Sequence, residues 1–476
     1  MRTALTSTLA MHDYEIYLLA AKVMWVFFVF CFGACVGSLI NVLAYRMPLG
    51  LGVVTPPSRC PACETRLTWR ENIPVLGWVL LRGRCRFCKS RISPEYPIVE
   101  AFVGVLFAGF FVLWYLAPAG AVTLSWPGSA PWSAVKPEWA MNDPWVSWPT
   151  FVVVLALLGS LVAMTLIDAK TFTIPLSLPW FATVVALVVH PVHAWWVQGH
   201  PMAGGPGGLR HAAAGFNWSI PTASSVAGAG WWWVGGGIGA VVGLGVSLLM
   251  MRVGLIGRSF ADYAEWEAEA LKALEKDAAA GGEGGEGEAA ESGGGSGGSG
   301  GEGSPAEMWI QYPHARREMV RELAFLASPV LLGLLGGRLA VGWGGEAAIP
   351  LWLDVLSGVV MGYLIGGGGV WAVRIGGSLG LGREAMGLGD VHLMAAVGAC
   401  VGWIDAVLAF FGAAFVGVFW AIGGRVFRGG FQRAMPYGPY LAVATVLVLL
   451  LKPLIEYGLT AFVFRVPPGS PPINLP

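Results

Sequence analysis

The sequence predicts an all-α polytopic membrane protein of about 8–10 transmembrane helices, with a small four-cysteine domain and a disordered Gly/Glu-rich linker outside the bilayer. Three observations predict it. Of 476 residues, 55% are hydrophobic and 12% charged, and the mean hydropathy is +0.64, too apolar for an ordinary water-soluble chain. Apolar runs recur at the length that crosses a bilayer, about 20 residues for about 30 Å of hydrocarbon. Basic residues crowd some of the intervening loops and avoid others.

Taken in order, the apolar runs place helices at roughly 17–45, 98–117, 149–167, 176–198, 230–256, 322–344, 353–375, 391–405, 406–424 and 437–463. The first run is long, lacks an A-x-A-like cleavage site and follows a polar start, so it reads as a retained span rather than a signal peptide. The chain thus divides into a first spanning helix (1–45), a four-cysteine domain (46–97), a membrane region (98–256), a charged helix and linker (257–321) and a second membrane region (322–476).

Nine Lys/Arg lie between Arg46 and Arg91, and Arg425, Arg428 and Arg433 crowd a later loop. The loops at about 118–148 and 199–229 hold only Lys136 and Arg210. The positive-inside rule makes the basic loops cytoplasmic. Counting crossings from an outside N-terminus then puts Asp168, the linker and the loop before Asp390 on that same face. The formal net charge is zero, so nothing points to a nucleic-acid partner.

Within the linker, ADYAEWEAEALKALEKD reads as a charged helix, and the tract from about Ala278 to Ser304 has too few apolar residues to bury a core. A solvated spacer is the expectation. The basic stretch HARREMVRE that follows suits a helix start beside anionic headgroups.

Cys31, Cys35 and Cys400 lie in apolar runs and read as packing thiols. Cys60, Cys63, Cys85 and Cys88 differ. They form two C-x-x-C pairs separated by 21 residues, the spacing of a zinc ribbon in which two knuckles close a tetrahedron. A segment of some 50 residues has too small a core to hold itself together, and a structural metal supplies the missing free energy. Redox and disulfide readings compete, but structural disulfides are rare in the reducing cytoplasm where the charge asymmetry puts this loop. Arg59, Arg84, Arg86 and Lys89 would offset the charge of four thiolates, and also satisfy the positive-inside bias.

An ionisable residue at the end of an apolar segment is costly unless it faces protein or water, which makes it a functional candidate. Asp168 ends the run LVAMTLIDAKTFTIPLSLP, where Pro175 and Pro179 break the helix beyond it. Asp390 closes GREAMGLGD and opens VHLMAAVGACVGW. Gly387 and Gly389 leave the backbone beside it free for close approach of an extended strand, and a carboxylate at a helix start is also ordinary capping. Two carboxylates brought to about 3 Å share one proton, so that one activates water and the other protonates a carbonyl oxygen. His392 stands two residues past Asp390 and reads either as a structural or snorkelling side chain or as a candidate for tuning that carboxylate. His12, His190, His193, His200, His211 and His314 read as incidental surface residues in termini, outer loops or the linker.

The blocks GACVGSLINVLAYRMP, SRCPACETRLTWRENIPVLGWVLLRGRCRFCKSRISPEYPIVE, LIDAKTFTIPLSLP, GREAMGLGDVHLMAAVGACVGW and MPYGPYLAVA resemble the prepilin peptidases, or type IV leader peptidases, in family order. The resemblance covers under half the chain. It implies an aspartyl endopeptidase of the bacterial inner membrane with Asp168 and Asp390 as its catalytic pair. Implied substrates are type IV prepilins or type II secretion pseudopilins, cut at the cytoplasmic face after a short basic leader. It also implies, for members with four cysteines, methylation of the new N-terminus from S-adenosylmethionine; no glycine-rich fingerprint locates that cofactor.

The chain departs from the family pattern in having His392 where Lys is usual. It also has two extra helices and the Gly/Glu linker between the acidic motifs, against about eight spans in the family. Rival readings are a presenilin-like intramembrane protease, a transporter using the Asp pair as a proton relay, and an inactive pilus-associated scaffold. The first would carry its initial aspartate in a Tyr-Asp motif and lack the cysteines, and the second needs no cysteines.

Overall fold

Apolar runs long enough to cross a bilayer become helices because only a helix satisfies its own backbone polar groups there. The computed structural model describes residues 2–273 and 312–475 apart from short stretches within them, the longest at 204–208, 212–217, 226–229 and 429–435. The helices are α1 (Arg2–Arg46), a short α2 (Leu76–Leu80), α3 (Glu95–Phe111, continued by a π turn to Leu116), α4 (Pro144–Thr171), α5 (Ser177–Gly199) and α6 (Gly230–Arg252). They continue with α7 (Ala315–Gly344), α8 (Leu351–Leu381), α9 (Leu388–Val401), α10 (Trp403–Arg428) and α11 (Gly438–Gly458). Among the described residues, nine helices are long and apolar enough to span a membrane, and α9 is a shorter apolar one. The protein is a multi-pass membrane protein, and its helices fall where the apolar runs predict.

The core sits where α4, α5, α8, α9 and α11 meet, with Leu157, Leu158, Ile167, Leu393, Met394 and Leu441 fully buried. From Asp390 to Val401 every α9 residue but His392 is buried, so α9 is the central helix. The chain turns straight from α9 into α10 at Gly402, whose φ of +94° no side chain would tolerate without strain. Helices α6 and α7 form a hairpin. Gly235, Gly239 and Gly243, four residues apart on α6, lie so close to Gly336, Leu332 and Pro329 of α7 that any Cβ would collide.

Four strand segments pair in the loops the sequence leaves irregular: β1 (Thr123–Leu124) with β2 (Trp132–Ser133), and β3 (Pro201–Ala203) with β4 (Leu209–His211). Helical positions recur between Tyr263 and Ala273 in the charged stretch, whereas the Ala278–Ser304 tract lies outside the described residues.

The histidines of α5 correct an expectation. His190 and His193 are buried rather than on the surface, because α9 and Trp218 pack against this part of α5. His190 donates from Nε2 to the Cys400 carbonyl of α9 at 3.1 Å, and the His193 ring packs edgewise on Trp218. Cys400 is buried, as a packing thiol should be, but Cys31 is only half-buried and Cys35 is exposed on the outer side of α1.

Candidate active site and metal centre

The four-cysteine segment lies between α1 and α3, anchored by Asn41 donating to the Tyr96 carbonyl and by Glu100 accepting the Val75 N–H at 2.6 Å. Its two knuckles repeat one geometry. In the first, Cys60 N–H donates to Thr65 O and Glu64 N–H to Cys60 O; in the second, Cys85 N–H donates to Ser90 O and Lys89 N–H to Cys85 O. Glu64 (φ 54°) and Lys89 (φ 60°), one residue past the second cysteine of each pair, take the same left-handed turn. Bridges Arg59–Arg66 and Arg84–Arg91 close the two loops.

The four Sγ atoms lie within 4.8 Å of one another, with Cys60–Cys88 at 3.8 Å and Cys63–Cys85 at 4.0 Å. Zn–S bonds of ~2.3 Å at tetrahedral angles require S···S edges of about 3.8 Å, so the cluster fits one ion. Burial alone would push the Cys60 thiol up, but the N–H groups of Cys63 and Ala62 and the Ser90 hydroxyl bring it down to about 6. Cys88 is lowered by Ser90, whereas Cys85, against the pull of the Cys88 and Phe87 amides, is raised by burial and its thiol neighbours. Glu71, between the knuckles, accepts the Thr68 N–H at 2.9 Å and lies 3.5 Å from Arg86.

Asp168 and Asp390 come to the same end of the bundle. Asp168 sits in the last turn of α4, where Phe172 in the left-handed region ends the helix and returns its N–H to the Asp168 carbonyl. Its side chain is turned into the bundle, leaving the residue 5% exposed. Lys170, two residues on, pairs with Glu95 at 2.7 Å and so ties this end of α4 to the start of α3 below the cysteine knuckles.

Asp390 is the third residue of α9, and Gly387 is its N-cap. The Gly387 N–H donates back to the Asp390 carboxylate, one half of a capping box, which accounts for the spacing of G-x-G-D. Asp390 is 7% exposed, too deep for a carboxylate that only caps a surface helix. The Asp168 carboxylate is near enough to bear on it electrostatically.

A third motif completes the site. The Gly438 N–H, at the start of α11, is hydrogen-bonded to the Asp168 carboxylate. Ile174, just beyond Asp168, fills the space that a side chain at Gly389 would need, at 2.9 Å, and that one at Gly438 would need, at 3.2 Å. The room at Gly389 is therefore taken internally by Ile174, while Gly387 is exposed. Tyr437 lies within electrostatic reach of Asp390 and donates its hydroxyl to the Phe410 carbonyl.

The cation that bears on Asp390 is Arg374 of α8; His392 is half-buried one position past Val391. Arg374 is 2% exposed and pairs with Glu322 and Glu384. Arg374, Ile174 and Gly438 escaped the sequence reading, although an arginine inside an apolar run carries the same signal that marks Asp168. Chemically, each of these two buried carboxyl groups accepts one backbone N–H and can give or take a proton at the same end of the bundle.

Comparison with known proteins meets this site partway. Residues 31–114 match the family model for the bacterial peptidase A24 N-terminal domain. A prepilin leader peptidase/N-methyltransferase of Myxococcus xanthus is 52% identical over 80 residues, 17% of this chain and 24% of the relative. One of Pectobacterium carotovorum is 31% identical over 180 residues, 33% of this chain and 53% of the relative. A type 4 prepilin-like proteins leader peptide-processing enzyme of Escherichia coli is 28% identical over 179 residues, 32% of this chain and 66% of the relative. The chain spans about a quarter to a half of the first relatives it matches. No solved structure matches it. Over the matched N-terminal segment and the aligned stretches of these relatives, the chain is similar to prepilin leader peptidase/N-methyltransferases.

Proposed function

We propose that the protein is a membrane aspartyl endopeptidase that removes the leader from type IV prepilin-like or type II pseudopilin precursors. The observation that carries this reading is the convergence of Asp168 and Asp390, each buried and each held by a backbone N–H, at one end of the bundle. One carboxylate takes a proton from water as the oxygen attacks the scissile carbonyl, and the other gives its proton to the carbonyl oxygen. As the tetrahedral species collapses, the C–N bond breaks and the leaving nitrogen takes up the proton.

The same end of the bundle receives the basic cysteine segment, and the Lys/Arg distribution supports a cytoplasmic orientation in the bacterial inner membrane. A precursor with a basic leader followed by an apolar helix would present its junction at that depth. The cysteine cluster is assigned to one structural zinc ion held by Cys60, Cys63, Cys85 and Cys88. Because the relatives' names include N-methyltransferase, methylation of the new N-terminus belongs to the same reading, with S-adenosylmethionine as the methyl donor.

The test is co-expression with a prepilin and mass spectrometry of the product. Loss of the leader mass supports the peptidase, a further gain of one CH₂ on the new N-terminus supports the methyl transfer, and an unprocessed precursor contradicts the reading. Cation-coupled flux without cleavage would favour the proton relay instead.

A further inference from the structure

The peptide unit between Met386 and Gly387 makes two bonds of opposite sense. Its N–H donates to the Asp390 carboxylate, and its carbonyl accepts from Nη1 of Arg374. A trans peptide is planar, so a partner that fixes the carbonyl also fixes the direction of the N–H. Arg374 is thus one rigid peptide away from Asp390.

Arg374 is itself held from the opposite side. Its Nε and Nη2 form a fork on Glu322 of α7, at 3.3 and 3.2 Å, and Nη1 also pairs with Glu384 at 2.5 Å. Glu322 is fixed in turn by the Trp371 indole N–H at 2.6 Å. Closer to the linker, Glu318 of α7 accepts the Phe260 N–H and pairs with Arg317 and Arg321, and the Arg374 guanidinium lies 5.6 Å from the Phe260 ring. The α6–α7 hairpin, which carries the linker between its arms, therefore reaches the Asp390 loop through the buried Arg374.

We propose that Arg374 is a positioning residue for Asp390, and that Glu322 couples the α6–α7 hairpin to the peptidase site through it. Lysine cannot replace this arginine, because one ammonium cannot hold a carboxylate fork and a carbonyl on its other edge at once. The hairpin on this account is part of the site's scaffold and not a spacer between two halves.

The proposal rests on the peptidase reading for its kinetic arm and is independent of it for a structural one. In purified full-length protein, Arg374→Lys and Glu322→Gln should each lower kcat for prepilin cleavage about tenfold or more, with KM within about twofold. Glu322→Gln should add little in an Arg374→Gln background, because both act on one element. Hydrogen exchange of the segment 384–388 should quicken in both single variants and return toward wild type in Glu322→Asp, which keeps the charge. Melting in detergent confirms that each variant is folded.

Independent, multiplying effects of the two substitutions would overturn the coupling, as would unchanged exchange over 384–388. If the wild type cleaves nothing, the peptidase reading fails, and the exchange measurement alone decides whether Arg374 positions the loop.

Discussion

The N–H of Gly438 is hydrogen-bonded to the carboxylate of Asp168, and a Cβ at position 438 would stand 2.5 Å from its Oδ2. Alanine is a better helix former than glycine by up to about 1 kcal/mol. Gly438→Ala should therefore leave the melting temperature unchanged or slightly raised while it displaces the Asp168 carboxylate. Cleavage should slow by roughly a hundredfold, the scale of losing general acid–base catalysis. Full activity in a folded Gly438→Ala protein would show that Asp168 does not need this geometry.

Cys60→Ser and Cys63→Ser each remove one of four ligands from a cluster whose sulfurs are spaced for one tetrahedral ion. Zinc per protein should fall from near one toward zero, and the segment between α1 and α3 should become protease-sensitive, since its small core depends on the metal. Metal analysis and limited proteolysis read both effects. Unchanged zinc content would rule the four-cysteine site out.

Glu71 supplies a pH dependence. The Thr68 N–H holds its carboxyl below the usual carboxylate range against the opposing effect of burial, and Arg86 adds to the pull. A carboxylate depressed by folding contributes stability above its unfolded pKa of about 4.3 and loses it as pH falls through the folded value. The melting gap between wild type and Glu71→Gln should accordingly be present at pH 7 and shrink toward pH 4. A gap of equal size at both would mean that Glu71 acts by shape alone.

Lys452 of α11 and Asp405 of α10 form a buried pair at 3.0 Å, with side chains 5% and 3% exposed. Lys452→Met strands the aspartate and should cost about 3–5 kcal/mol, of which adding Asp405→Asn should restore a large part. Thermal unfolding in detergent of the two singles and the double measures this. A single variant as stable as wild type would show that the pair is not a structural lock.

The helices and the cysteine cluster were legible in the sequence, because each rests on a local property. Hydropathy over one run sets α4 or α11, and the C-x-x-C spacing sets a knuckle whatever lies around it. Asp168 and Asp390 were legible as charges in apolar surroundings. What holds them was not, since Gly438 meets Asp168 from a distant motif, and Arg374, twelve positions before Met386, reaches its carbonyl only once the chain turns back from α8. His190 shows the converse, because a polar residue near a helix end looks exposed until α9 packs over it. His392, next to the motif, drew the eye, while the cation near Asp390 comes from α8.

The central claim is that Asp168 and Asp390 act as one proton-sharing pair, and the rate of prepilin leader removal by purified protein tests it most directly. Asp168→Asn and Asp390→Asn should each slow cleavage by at least about a hundredfold, and the double variant should be little worse than either, as expected of residues that work as a unit. Cleavage at the wild-type rate by either folded single variant would contradict the account.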